Sequence, residues 1–255
     1  MKKVNELIKL PEVKTIFNLF NNNQGIYLVG GCIRDALSGK DVTDIDFAVD
    51  IDPEEVIKVL TNNNIKFYDI GINYGTVTAV IDSKNYEITS LREDIETDGR
   101  HAKVKYTSDL KADSLRRDFT INAIYANRDG ELFDFHNGID DIENRNLKFI
   151  GSANDRVKED YLRILRYFRF YADFSNFEID ANLKKIFREG SKNFSKISKE
   201  RIWTELKKII NQNNSFKSLS MMNEANILNE ISEDISVNKD YSKISHIENK
   251  INKPV

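Results

Sequence analysis

The sequence predicts a mixed α/β or α+β part followed by an all-helical part, on three observations. Short apolar and β-branched runs alternate with helical patterns up to about Asn137, a helical period takes over beyond it, and the change falls in a polar stretch near residues 138–150. The 255 residues, 40% of them hydrophobic, hold enough apolar material for one sizeable core or two modest ones.

The elements follow in order. Val4 to Phe20 has the spacing of an amphipathic helix, and Ile26 to Val29 is an apolar run that ends on Gly30-Gly31. A helical stretch to Leu37 and a strand over Ile45 to Val49 come next. Asp52-Pro53 supplies an N-cap and an N1 proline for a helix through Leu60. Lys66 to Ile70, Thr76 to Ile81 and Tyr86 to Thr89 read as strands of one sheet, whereas residues 91–103 lack a period, mix charges of both signs and read as a long mobile loop. Helical periodicity then runs through Asp155 to Tyr171, Asp180 to Glu189, Ser198 to Ile210 and Ser215 to Leu228. The expected organisation is therefore a domain over 1–138, a helical domain over 139–228, and a polar tail over 229–255 or the start of a further helical region.

Composition excludes several classes. No run approaches the roughly 18–20 apolar residues that span a bilayer. The N-terminus turns amphipathic within a few residues, so a cytoplasmic chain without a membrane partner is expected. One cysteine, Cys32, excludes an internal disulfide, and the three scattered histidines suggest no histidine cluster, which leaves oxygen to hold any metal. The formal charge of −3 announces no nucleic-acid partner but excludes none, since a basic stripe can hide in a neutral total.

Two local patterns carry chemistry. On a strand, Asp44-Ile-Asp46 puts both carboxylates on one face, a crowded pair that a divalent cation would neutralise, although such pairs also occur as solvated turns and N-caps. Upstream, Leu28-Val29-Gly30-Gly31-Cys32-Ile33-Arg34 is a strand, a glycine turn and a helix start, which either aims backbone N–H groups at a phosphate or is a tight turn without a ligand. Together, a phosphate cradle ahead of a metal-binding Asp pair is what nucleotidyl transfer requires. Glu87 is the best third carboxylate, being acidic on an otherwise apolar strand that could lie beside Asp46; its alternative is a solvent-facing strand position.

Leu28-Val-Gly-Gly-Cys-Ile-Arg-Asp-Ala-Leu-Ser-Gly-Lys-Asp-Val-Thr-Asp-Ile-Asp46 resembles the first motif of class II tRNA nucleotidyltransferases, which include CCA-adding enzymes and bacterial poly(A) polymerases. In the same order, Arg116-Arg-Asp-Phe-Thr-Ile-Asn-Ala123 resembles the family's ribose-binding motif, Phe133 to Asp141 its connector, Glu159-Asp-Tyr-Leu-Arg163 its base-selecting motif, and Ser198-Lys-Glu-Arg-Ile202 its last neck helix.

The resemblance implies a polymerase-β-like α+β head with a mixed sheet and an all-helical neck. It implies that Asp44 and Asp46, with Glu87, hold Mg²⁺, and that Gly30, Gly31 and Arg34 contact the nucleotide. Arg117 would donate to phosphate and Asp118 accept from the ribose 2′-hydroxyl, with Asn122 one helical turn on. On a single helix, Asp160 and Arg163 would read the base edge shared by cytosine and adenine, Glu159 would brace Arg163, and Arg166 would also bind nucleotide. The implied reaction is template-independent addition of C and A to the tRNA 3′ end from CTP and ATP, with a possible homo-oligomer. The alternatives are a poly(A) polymerase and a non-catalytic nucleotide- or RNA-binding remnant. Residues 91–102 resemble the flexible loop that CCA-adding enzymes use when switching from C to A.

Overall fold

The computed structural model describes residues 2–21, 23–98, 101–212 and 214–232, so most of the expected polar tail lies outside the described residues. The chain divides into two compact units, one of Met1–Thr97 with His101–Glu143 and the other beginning at Asn144.

The first unit opens with α1 (Lys2–Ile8) and α2 (Pro11–Leu19), where the sequence suggested one helix. Pro11 is the cause: it has no N–H for a continuing helix, yet its fixed φ suits the first turn of a new one. Then follow β1 (Ile26–Val29), α3 (Gly31–Leu37), β2 (Asp46–Val49), α4 (Pro53–Asn62), β3 (Lys66–Tyr68), β4 (Thr76–Ile81) and β5 (Lys84–Ser90). After them come β6 (Arg92–Asp98), β7 (His101–Tyr106), α5 (Leu110–Leu115), β8 (Ile124–Ala126), β9 (Leu132–Asp134) and α6 (Gly138–Glu143).

Seven strands form a mixed sheet in the order β3-β4-β5-β2-β1-β8-β9, in which β2 and β5 run parallel and the other pairs antiparallel. Between β4 and β5, Asp82 and Ser83 have φ of 50° and 62°, the positive pair of a type I′ hairpin turn. Leu28, Phe47 and Ile88 are fully buried on one face, where Phe17 of α2 meets Phe47 edge-on at 5.6 Å. On the other face Val29, Ala48, Leu91 and Tyr125 form a buried cluster. Cys32 is buried beside the glycine turn, its thiol pushed up to about 12 by burial, in keeping with a small core residue. The stretch expected as an unstructured loop instead supplies β6 and β7, a separate two-stranded sheet. Charged residues hid this strand pair from a reading based on apolar alternation.

The second unit is helical: α7 (Ala153–Glu159), α8 (Leu162–Phe174), α9 (Ala181–Ser191), α10 (Lys199–Ile210) and α11 (Ser215–Glu224). Buried α8 touches each of the others. Its Tyr167 packs against Phe187 at 4.9 Å and stacks on Phe149 at 5.7 Å. Gly190 lets α9 come close, since a Cβ there would lie 2.7 Å from Val157. Tyr167, Phe168, Phe170 and Tyr171 are core, whereas Trp203 is 54% exposed on α10.

Candidate active site

In the first unit the site begins where β1 ends. Gly30, at φ 77° and ψ −129°, turns the chain out of the sheet and into α3, a conformation that a side chain would strain. The register sets Val29 opposite Asp46 and Asp46 beside Glu87, so the Asp46 and Glu87 carboxylates share one sheet face. Asp44 does not share the strand: β2 begins at Asp46 because its partner β1 ends at Val29, and exposed Asp44 lies in the irregular segment before it. Its charge still reaches Asp46. Burial, then Glu87, then Asp44 push the Asp46 carboxyl up to about 6, against the opposing pull of Arg117.

Val29, Asp46 and Glu87 line a cavity of about 250 Å³, and so do Arg92, Arg116 and Arg117. Two carboxylates and three guanidinium groups on one wall suit a polyanion that arrives with a cation. Arg117 stays protonated: burial alone would favour its neutral form, but Tyr125 and Asp113 outweigh that effect. A Cβ at Gly30 would stand 3.7 Å from Arg117 Nη1, so the glycine turn and this guanidinium are neighbours. Gly31 is the first residue of α3, and a Cβ there would face Arg34 Nη2 at 3.6 Å.

Arg34 pairs bidentately with Asp35 through Nε and Nη2 at 2.9 and 2.8 Å, and its Nη1 donates to Asn122 Oδ1 at 2.8 Å. Asn122 Nδ2 in turn donates to Asp118 Oδ1 at 3.2 Å. The expected neighbourhood of Asp118 and Asn122 is therefore present, built by a 3₁₀ turn over Thr120–Asn122 and not by an α-helix.

Asp113, a fully buried carboxylate that sequence reasoning missed, lies behind Arg116 and Arg117. It accepts from Arg116 Nε at 2.8 Å, from Arg117 Nε and Nη2 at 3.2 and 3.1 Å, from the Tyr125 hydroxyl at 2.7 Å and from the Arg92 main-chain N–H at 3.2 Å. Burial would raise its pKa, but Arg117, Arg116 and Tyr125 hold it down at about 2. The available signal was its position three and four residues before the arginine pair, one helical turn.

In the second unit the expected base-reading group is not on one helix. Asp160 is extended (φ −152°, ψ 108°) and breaks the chain into α7 and α8, its Oδ1 accepting the Leu162 N–H at 3.0 Å as a local cap. Glu159 nonetheless braces Arg163 as expected, the two being in direct contact. It also accepts from Arg156 Nη1 at 2.7 Å, while Arg163 Nη1 donates to the Arg156 carbonyl at 3.0 Å. Asp160 Oδ2 accepts from Arg201 Nη2 at 2.8 Å, a partner that no local spacing could reveal. Arg166 is half-buried on α8. Two cations of this unit are neutralised locally, Arg156 by Glu159 and Arg169 by Glu205.

Among the described residues no group of three or more His, Cys, Asp or Glu side chains is assembled to hold a metal ion. Asp46 and Glu87 still fit a divalent cation, because Mg²⁺ is usually held by one or two carboxylates together with substrate phosphates. Burial first, and then the Glu87 and Asp44 charges, disfavour the Asp46 carboxylate, and a cation there would offset both effects. Among the described residues no helix is long and apolar enough to cross a membrane.

A mixed sheet with two carboxylates on adjacent parallel strands, a glycine turn beside them and a helical unit after it is the polymerase-β-like nucleotidyltransferase class. The family model described as "Poly A polymerase head domain" matches residues 26–148, and that described as "Probable RNA and SrmB- binding site of polymerase A" matches 176–237. The chain is 40% identical over 229 residues to the zebrafish (Danio rerio) CCA tRNA nucleotidyltransferase 1, mitochondrial, covering 85% of this chain and 53% of that protein. It is 39% identical over 186 residues to the CCA-adding enzyme of Streptococcus gordonii, covering 72% and 45%. Its fold matches the crystal structure of the Bacillus stearothermophilus CCA-adding enzyme in complex with CTP at a TM-score of 0.74 and 28% identity, covering 85% of this chain and 53% of that one. The chain belongs to the tRNA nucleotidyltransferase and poly(A) polymerase family, and it spans about half the length of these relatives.

Proposed function

We propose that the protein adds C and A nucleotides to the 3′ end of tRNA, transferring them from CTP and ATP with loss of pyrophosphate. The observation that carries this reading is the cavity wall on which Asp46 and Glu87 face the same space as Arg116 and Arg117, next to the Gly30 turn. The 3′-oxygen of the RNA forms a bond to the α-phosphorus, and the bond to the pyrophosphate oxygen breaks. Asp44, Asp46 and Glu87 would hold Mg²⁺, which when bound supplies neutralisation of the triphosphate and acidification of the attacking hydroxyl. Arg116 and Arg117 bind the phosphates, Gly30 and Gly31 let the nucleotide approach the main chain, and Arg34 holds Asn122 in place. Asp118 and Asn122 take the ribose 2′-hydroxyl. Asp160 accepts from the exocyclic amine of cytosine or adenine and Arg163, held by Glu159, donates to the ring nitrogen; Arg166 adds charge to the same helix.

In this reading the first unit is the catalytic head and the second a base-selecting, RNA-binding neck. The test is incubation of the chain with Mg²⁺, tRNA lacking its CCA end, and labelled CTP or ATP, singly and together. Label from CTP alone, and from ATP only when CTP is present, supports the reading. No incorporation under any combination refutes it.

A further inference from the structure

Asp113 does not line the cavity, yet every hydrogen bond described for its carboxylate comes from the residues that do or from the strand beside them. Arg116 and Arg117 both turn guanidinium nitrogens back onto it, and Tyr125, buried on the sheet, donates to it and accepts from Arg117 Nε at 3.0 Å. The ring of Tyr125 also lies 5.1 Å from the Arg117 guanidinium carbon, so the arginine is held along both its edge and its face. A further bond, from the Arg92 main-chain N–H, ties the first residue of β6 to the same oxygen that takes Arg116. Two adjacent long, flexible cations would otherwise have several rotamers each and would repel one another. One buried anion at helical spacing between them removes both problems.

We infer that Asp113 is a positioning residue for the nucleotide's triphosphate, fixing the Arg116 and Arg117 guanidinium groups on the cavity wall without touching the substrate itself. The inference rests on the proposed nucleotide chemistry of this cavity. It implies that loss of the Asp113 charge weakens binding of anything carrying the triphosphate and leaves the choice of base unchanged, because base selection belongs to other residues. A merely structural role would lower stability and weaken every ligand in proportion to that loss.

The experiment measures tripolyphosphate, CTP, ATP and UTP binding to the full chain, in wild type, Asp113→Asn and Asp113→Glu. Phe17→Leu is the control for stability, since it loosens the core of the same unit on the opposite face of the sheet, where buried Phe17 meets Phe47 edge-on at 5.6 Å. Asp113→Asn should weaken all four ligands by about tenfold or more with an unchanged CTP-to-UTP ratio, as expected when charge-assisted bonds that orient an anion site are lost. Asp113→Glu, which keeps the charge and is the variant to use if Asn does not fold, should fall between Asn and wild type. Phe17→Leu at equal loss of melting temperature should bind as wild type. Equal triphosphate binding by wild type and both Asp113 variants overturns the inference, as does equal weakening in Phe17→Leu. Wild type that binds no tripolyphosphate overturns it too. A chain that shows the expected binding differences but incorporates no nucleotide refutes the proposed function alone.

Discussion

At Asp46 the sheet places a carboxylate where burial, Glu87 and Asp44 together raise its pKa to about 6, from an ordinary 3.8. A carboxyl raised in the folded state costs stability once ionised, so this contribution improves as pH falls through about 6 and is absent in a variant without the charge. In chelator at pH 7.5, Asp46→Asn should therefore be more stable than wild type by about 1 kcal/mol, the shift being discounted for partial exposure. Urea unfolding of the two proteins measures this, and the same variant should lose nucleotide incorporation by more than about a hundredfold. Asp113 has the opposite sign. Held at about 2, it stabilises the fold above its ordinary value of 3.8, and that contribution disappears as pH falls from 3.8 through about 2. Unfolding at pH 5 and pH 2.5 should show a loss on the order of 2 kcal/mol in wild type that is missing from Asp113→Asn.

Among the elements, those with a strong local signal were legible. Asp52-Pro53 marked α4, alternation marked β4 and β5, and Gly30-Gly31 marked the turn into α3, because capping, period and glycine punctuation are properties of neighbouring residues. The helix breaks at Leu10 and Asp160 were not read. At both, a helical period continues across the gap, while the break depends on a missing N–H at Pro11 and on a side-chain cap by Asp160. In the candidate site the carboxylates and arginines could be named from motifs, but Asp113 as their anchor and Arg201 as the partner of Asp160 depend on tertiary packing or on a spacing easily read as a surface ion pair. Gly30→Ala should destabilise the fold by roughly 1–3 kcal/mol in urea unfolding, since φ 77° with ψ −129° suits only glycine. Asp160→Ala, which removes the proposed acceptor for the exocyclic amine, should cost roughly 1–3 kcal/mol of CTP-over-UTP discrimination in steady-state incorporation; an unchanged preference means the base is read elsewhere.

Over the whole molecule, a polymerase-β-like unit and a helical unit together cover about half the length of the relatives. In the helical unit Arg156 and Arg169 are already paired with Glu159 and Glu205, and a head and neck alone can offer only a limited set of phosphate contacts. The chain should accordingly bind tRNA weakly, with an affinity that drops steeply as salt rises; nanomolar binding that survives about 200 mM salt would contradict this. Whether this chain builds C-C-A on tRNA can be read by sequencing the 3′ ends of tRNA lacking its CCA end after incubation with the chain, Mg²⁺ and all four nucleoside triphosphates. The proposed function requires ends that stop at C, C-C or C-C-A with wild type, and unextended ends with Asp46→Ala. Runs of A, random mixtures of the four nucleotides, or unextended ends with wild type would contradict it.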